Sequence, residues 1–166
     1  TEVNNIGIIV PTKALIDQVY REIKKIEGLN RKIIIHDQNY DSENDSRVLA
    51  IITQERGLRL LEQNMIFDSL YIDEAHELFS FDFRNKLANR SVLLTRLIRI
   101  SRELNSEISV YYFSPIIQNV NSLQLKNEQV DIDYFRIKNN LKVLDIRFVN
   151  NENSEFAYEP HLGLLY

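Results

Sequence analysis

Leu70-Tyr71-Ile72-Asp73-Glu74-Ala75-His76-Glu77-Leu78 is a short apolar run that stops at two adjacent acids, with a histidine two residues on. A run of this kind fits a strand buried on both faces, as in a parallel sheet covered by helices. Such strands present ligand-binding residues at their carboxyl ends, where the chain leaves the sheet. Two carboxylates at that exit suit a metal–phosphate centre, one holding a divalent cation and the other taking a proton from an attacking water. The same residues also fit a plain strand end followed by an acidic helix start, where the helix dipole favours Asp and Glu. The remainder of the chain decides between the two.

On either side, strands and helices alternate. Ile6-Gly7-Ile8-Ile9-Val10 is an apolar β run stopped by Pro11. Leu15, Ile16, Val19, Ile23 and Ile26 recur at helical spacing and predict an amphipathic helix from Leu15 through Ile26, closed by Gly28. Further strands are expected over Lys32–His36, Val48–Ile52, Ser109–Phe113 and Lys142–Phe148. Helices are expected over Arg56–Gln63, about Ser91–Leu104 and Asn119–Leu125. The alternation predicts an α/β fold, a mainly parallel sheet flanked by helices, in one domain over residues 1–166 whose end, 150–166, is irregular or an edge segment.

Composition narrows the function. A net charge of −4 argues against a polycationic chain, so any nucleic-acid contact must be a local patch. The absence of cysteine removes disulfides, thiol catalysis and Cys-based zinc sites, and fits a reducing, cytoplasmic setting. His36, His76 and His161 are scattered, with no pair at metal-ligand spacing. No apolar segment is long enough for a membrane span. His36, after Ile33-Ile34-Ile35, reads as a packed strand-end residue; Arg90, Arg96, Arg99 and Arg102 read as a solvated helix face, and Tyr111 and Tyr112 as core.

The predicted strand exits carry Pro11-Thr12-Lys13, Thr53-Gln54-Glu55-Arg56, Asp73-Glu74 and Ser114-Pro115. Their order is what identifies them. Asp73-Glu74-Ala75-His76 resembles the DEAD/DEAH-box motif II of superfamily 2 helicases, the Walker B element of a RecA-like motor. Val10-Pro11-Thr12-Lys13-Ala14-Leu15 is similar to motif Ia, usually a P-T-R-A-L run. Thr53-Gln54-Glu55-Arg56 is similar to motif Ib, commonly T-P-E-R, with Gln54 in the place of Pro. Ser114-Pro115-Ile116 stands where motif III, usually S-A-T, belongs, and keeps only the serine. The four lie in family order between about Val10 and Leu123.

The resemblance implies an ATP-dependent helicase or translocase using ATP and Mg²⁺ and acting on single-stranded DNA or RNA. It implies that Asp73 holds Mg²⁺ and that Glu74 orients or deprotonates the attacking water. His76 and Ser114 would link the nucleotide to the nucleic-acid side. Pro11, Thr12, Lys13, Thr53 and Arg56 would meet the strand's phosphate backbone, which positions a strand without reading its sequence. No G-x-x-x-x-G-K-[ST] loop occurs, and the chain has four glycines in all. Together with the abrupt opening at Thr1, this reads as part of a first RecA-like domain, incomplete on its N-terminal side. Such a piece would be inactive by itself, with an unfilled sheet position that favours pairing between copies. The alternative is a non-catalytic α/β interaction module with a vestigial DEAH box.

Overall fold

The computed structural model describes residues 5–79, 90–114, 133, 147–151, 154–159 and 164–165. Its contacts divide the chain into two units, residues 1–132 and 133–166. The first unit holds five strands, β1 (Ile6–Ile9), β2 (Lys32–Ile34), β3 (Val48–Ile52), β4 (Ser69–Ile72) and β5 (Ser109–Tyr112). They form one sheet in the order β2-β3-β1-β4-β5. Each pairing is parallel, with Ile9 level with both Ile52 and Ile72. Helices α1 (Lys13–Ile23), α2 (Gln54–Glu62) and α3 (Arg90–Leu104) flank it. This is the parallel α/β arrangement expected from the alternating pattern, and it is consistent with the RecA-like fold that the motif resemblance implies.

Side chains along a strand alternate between faces, and here each face meets a different set of helices. Ile9, Ala50, Ile52, Leu70 and Ile72 pack with Leu60, Leu61, Leu94, Leu97 and Ile98 of α2 and α3. Val10 and Ile51, with Ile8 and Ile33, pack under Ile16, Val19 and Ile23 of α1. Strand β3 is buried along its whole length, which explains its unbroken Val-Leu-Ala-Ile-Ile. At Gly7 a β-carbon would come within 2.6 Å of a Leu70 methyl and 3.1 Å of the Phe67 ring, so β1 needs glycine there.

The connections have local causes. Thr12 caps α1, its hydroxyl accepting from the Leu15 N–H. Helix α2 ends in a Schellman motif: Met65 N–H reaches the Leu60 carbonyl, Asn64 N–H the Leu61 carbonyl, and Asn64 takes a left-handed φ of 63°. By contrast α1 stops at Ile23 with Lys24 as its cap, and Ile26 is exposed. Gly28, expected to close that helix, serves a later turn with φ 77°. The apolar period carried on through Ile26, but turn bonds from Lys25 to Glu22 and from Ile26 to Ile23 replace the α-helical ladder. Tyr111 also departs from expectation. It lies on β5, outermost in the sheet order, is 46% exposed and stacks on Tyr71 at 4.7 Å, whereas Tyr112 packs against the core.

The second unit carries an antiparallel sheet of β6 (Arg147–Asn151), β7 (Ser154–Glu159) and β8 (Leu164–Leu165). Residues 150–166, expected to be irregular or an edge segment, include β7 and β8; Phe156 and Tyr158 alternating with Glu155 and Glu159 is the pattern that favours β7. The expected helix over 119–125 and residues 142–146 of the last expected strand lie outside the described residues.

Candidate nucleotide and nucleic-acid site

The described residues of the four motifs, Ser114 alone for the last of them, emerge at the carboxyl edge of the sheet. Strand β1 runs into α1 on one face, and its neighbour β3 runs into α2 on the other. Adjacent strands whose connections leave to opposite faces open a crevice between their ends. Here it is a cleft of about 600 Å³ lined by Pro11, Thr12 and Lys13 from the β1 exit and by Thr53, Glu55 and Arg56 from the β3 exit. His36, Arg59 and Arg90 complete the lining. Four permanently cationic side chains (Lys13, Arg56, Arg59, Arg90) face a single acid, Glu55, in a chain of net charge −4. The charge is therefore concentrated locally.

The cleft is rigidly built on its β2 side. The Arg56 guanidinium donates to the Ile35 carbonyl at 2.7 Å, and Arg59 forks onto Asp37 at 2.7 and 3.1 Å. Asp37 is buried and starts the 3₁₀ turn Asp37–Asn39, which His36 caps by accepting the Gln38 N–H on Nδ1. The Arg59 fork beside Asp37 holds its carboxyl below the usual carboxylate value, against an opposing push from burial. A depressed folded value means that the stabilisation is complete above the ordinary 3.8 and disappears as pH falls through and below it. Asp37→Asn should lower the melting temperature at neutral pH, by a loss on the order of 1 kcal/mol once the half-exposed Arg59 is allowed for. The difference from wild type should shrink in thermal melts as pH falls below 3.8.

Two helix N-termini open into the same cleft. Thr12 uses a lone pair of its hydroxyl as the α1 cap, which leaves its O–H to donate. Thr53 precedes α2 and makes no capping bond, so the first-turn N–H groups there lack a side-chain cap. Backbone donors, helix dipoles and cations converge on one space. That combination favours a polyanion.

The acidic site stands further along the edge, at the β4 exit, and neither Asp73 nor Glu74 lines the cleft. Asp73 N–H continues the ladder to the Ile9 carbonyl. Its Oδ1 accepts the Glu74 N–H at 2.9 Å. Glu74 adopts a left-handed φ of 52°, an unusual state for a side chain of this size, and the chain then enters the 3₁₀ turn Ala75–Phe79. Ala75 is fully buried and its N–H bonds the Phe113 carbonyl, tying this turn to the β5 exit. His76 Nδ1 lies 3.1 Å from Glu74 Oε2 and 3.4 Å from Ser114 Oγ. The structure thus brings His76 together with both Glu74 and Ser114. Pro115 lies outside the described residues.

Among the described residues no group of three or more His, Asp or Glu side chains gathers as a metal cage. The hard oxygen donors of Asp73 and Glu74 suit Mg²⁺, which takes one or two carboxylates and keeps its other positions for water and phosphate. Sequence reasoning missed His36, Arg59 and Arg90 as lining residues. His36 stands at the exit of β2, on the same edge as the motifs, which was the available signal. Of the arginines read as a solvated face, Arg90, Arg96 and Arg99 are exposed as expected, Arg90 at the lining of the cleft, while Arg102 is half-buried beside Tyr112. Among the described residues no helix is long and apolar enough to cross a membrane.

Compared with known families, the chain matches the one described as DEAD/DEAH box helicase, over residues 2–123. No curated protein matches it.

Proposed function

Because the chain belongs to the DEAD/DEAH-box helicase family, we propose that it is the Walker B and strand-gripping part of a first RecA-like motor domain. Its parent protein would couple ATP hydrolysis to movement along, or separation of, nucleic-acid strands. The observation that carries this reading is the convergence of the β1 and β3 exits, with two helix N-termini and four cations, in one cleft. A single strand of DNA or RNA is the polyanion proposed for it. Thr12, Thr53, Lys13 and the α2 N–H groups meet its phosphates, and Arg56 does so with the donors left over from Ile35.

At the acidic site Asp73 holds Mg²⁺, and Glu74 orients the water and accepts its proton. Mg²⁺–ATP, when bound, supplies the phosphoryl group and the charge that stabilises its transfer. His76 sits between Glu74 and Ser114, so a shift of its Nδ1 bond from one to the other would report the state of the nucleotide to the β5 exit. The phosphate-cradling loop absent from these 166 residues, and the second motor domain, are assigned to the rest of the parent.

Strand binding tests this reading. The chain should bind single-stranded oligonucleotides with an affinity that falls steeply as salt rises. Lys13→Ala should weaken binding to all sequences alike and reduce the slope of log K against log salt by about 1. Binding with no salt dependence, or a slope untouched by Lys13→Ala, would contradict it.

A further inference from the structure

The two helix N-termini at the cleft are not equivalent. Thr12 caps α1, and its hydroxyl takes the Leu15 N–H. Thr53 holds the same place before α2, with the same kind of side chain, and makes no capping bond. The α2 ladder begins with the Gly57 N–H on the Thr53 carbonyl. The N–H groups of Gln54, Glu55 and Arg56 precede that ladder, and among the described residues none of them has an acceptor. Gln54 is the first residue of the helix, so its N–H points out of the helix end, between Thr53 and Glu55, which both line the cleft.

Gln54 carries a second uncommitted donor. Its side chain lies behind the lining, 2% exposed, and its Nε2 has no hydrogen-bond partner. A buried donor without an acceptor weakens the fold, and nearly all such groups are paired. Helix side chains lean toward the N-terminus, which carries this amide toward the end of α2 that meets the cleft. The residue also departs from the motif it resembles: the proline common at this place in motif Ib has no N–H to give.

We propose that Gln54 grips a phosphate of the bound strand, its backbone N–H donating to a phosphate oxygen at the open end of α2. The inference rests on the strand-binding reading above and singles out a contact that the motif's usual proline could not make. Lys13 and Arg56 attract the strand by charge. The Gln54 N–H fixes one oxygen in position, because a main-chain donor at a helix start cannot swing away as a long cationic side chain can. The arriving oxygens also give Nε2 the acceptor it lacks. Glu55, the one acid of the lining, stands one turn before Arg59, whose charge attracts and offsets its own.

Two variants of the parent protein separate the donors. Gln54→Ala keeps the N–H and loses Nε2, whereas Gln54→Pro loses both, and proline is tolerated at the first position of a helix. Affinities for oligo(dT) and oligo(U) are measured across a range of salt. For the tighter-binding oligonucleotide, Gln54→Pro should bind about tenfold more weakly than Gln54→Ala, as expected for loss of one hydrogen bond to a charged group. The salt slope should stay the same in both, because no charge is removed, in contrast to Lys13→Ala. Hydrogen exchange of the wild-type protein gives a second measurement, which stands even if Gln54→Pro fails to fold. Oligonucleotide binding should slow exchange at the Gln54 amide about tenfold or more. Salt-dependent binding with equal affinities of the two variants, or with unslowed exchange at Gln54, would overturn the contact and leave the phosphate groove standing. Failure of the wild-type protein to bind either oligonucleotide in a salt-dependent way would overturn the groove reading, and the contact with it.

Discussion

Glu74→Gln should abolish nucleic-acid-stimulated ATP hydrolysis by the parent protein, a loss of about 10²–10⁴-fold, while ATP and strand binding persist. The substitution keeps the size of the side chain and removes its capacity to take a proton from water. Its amide oxygen can still accept from His76, so the contact made by Glu74 at 3.1 Å need not collapse. Two features favour the proposed assignment of the base to this position over Asp73. Asp73 Oδ1 is engaged by the Glu74 N–H, which fixes that carboxylate close to the backbone, as the proposed role of cation ligand requires. Glu74, held at a φ of 52°, is thrown out of the strand direction and remains partly exposed. Strained backbone of this kind persists where surrounding bonds over-determine it, here the Ala75–Phe113 and Asp73–Ile9 bonds. Asp73→Asn should instead weaken Mg²⁺-dependent nucleotide binding. Steady-state hydrolysis and nucleotide-binding titrations of the two variants separate these roles. Equal hydrolysis by Glu74→Gln and wild type would remove Glu74 from the chemistry.

The largest effect on stability is expected at Phe67. Its side chain is almost fully buried, and its ring fills the space that a side chain at Gly7 would otherwise occupy, between β1 and the start of β4. Its carbonyl accepts from the Asn105 side chain at 3.0 Å, which anchors the end of α3 to the same point. Because Gly7 has nothing to move into the gap, Phe67→Ala should leave a cavity that the strands cannot close. The cost should be about 3–5 kcal/mol, a large share of the 5–15 kcal/mol typical of a folded domain. A lower urea midpoint at unchanged slope is the expected reading. A loss below about 1 kcal/mol would mean that the β1–β4 packing is not as described.

The parallel sheet and its functional edge were legible because buried parallel strands are written as unbroken apolar runs, and their exits as small polar or acidic residues. Val48–Ile52 and Leu70–Glu74 carry that signal without competition from helical spacing. The boundary of α1 was less legible. Ile26 extends the apolar period, yet the helix gives way to tighter turns at Lys24, and the left-handed Gly28 belongs to the later turn. Tyr111 was misread for a different reason: a strand's pattern does not state whether it lies inside a sheet or outermost in it, and β5 is outermost in its sheet order. At the site, Asp73, Glu74, His76 and Ser114 could be named from local motifs. The contributions of His36, Arg59 and Arg90 could not, because they reach the cleft only once β2, α2 and α3 have packed.

The most direct test of the motor reading is ATP hydrolysis by the parent protein, measured with and without single-stranded DNA or RNA. The account predicts hydrolysis that rises when one of these polymers is added, and a smaller rise when Lys13 is replaced by Ala. No hydrolysis under any of these conditions would contradict it and leave a nucleic-acid or protein interaction module with a vestigial acidic site.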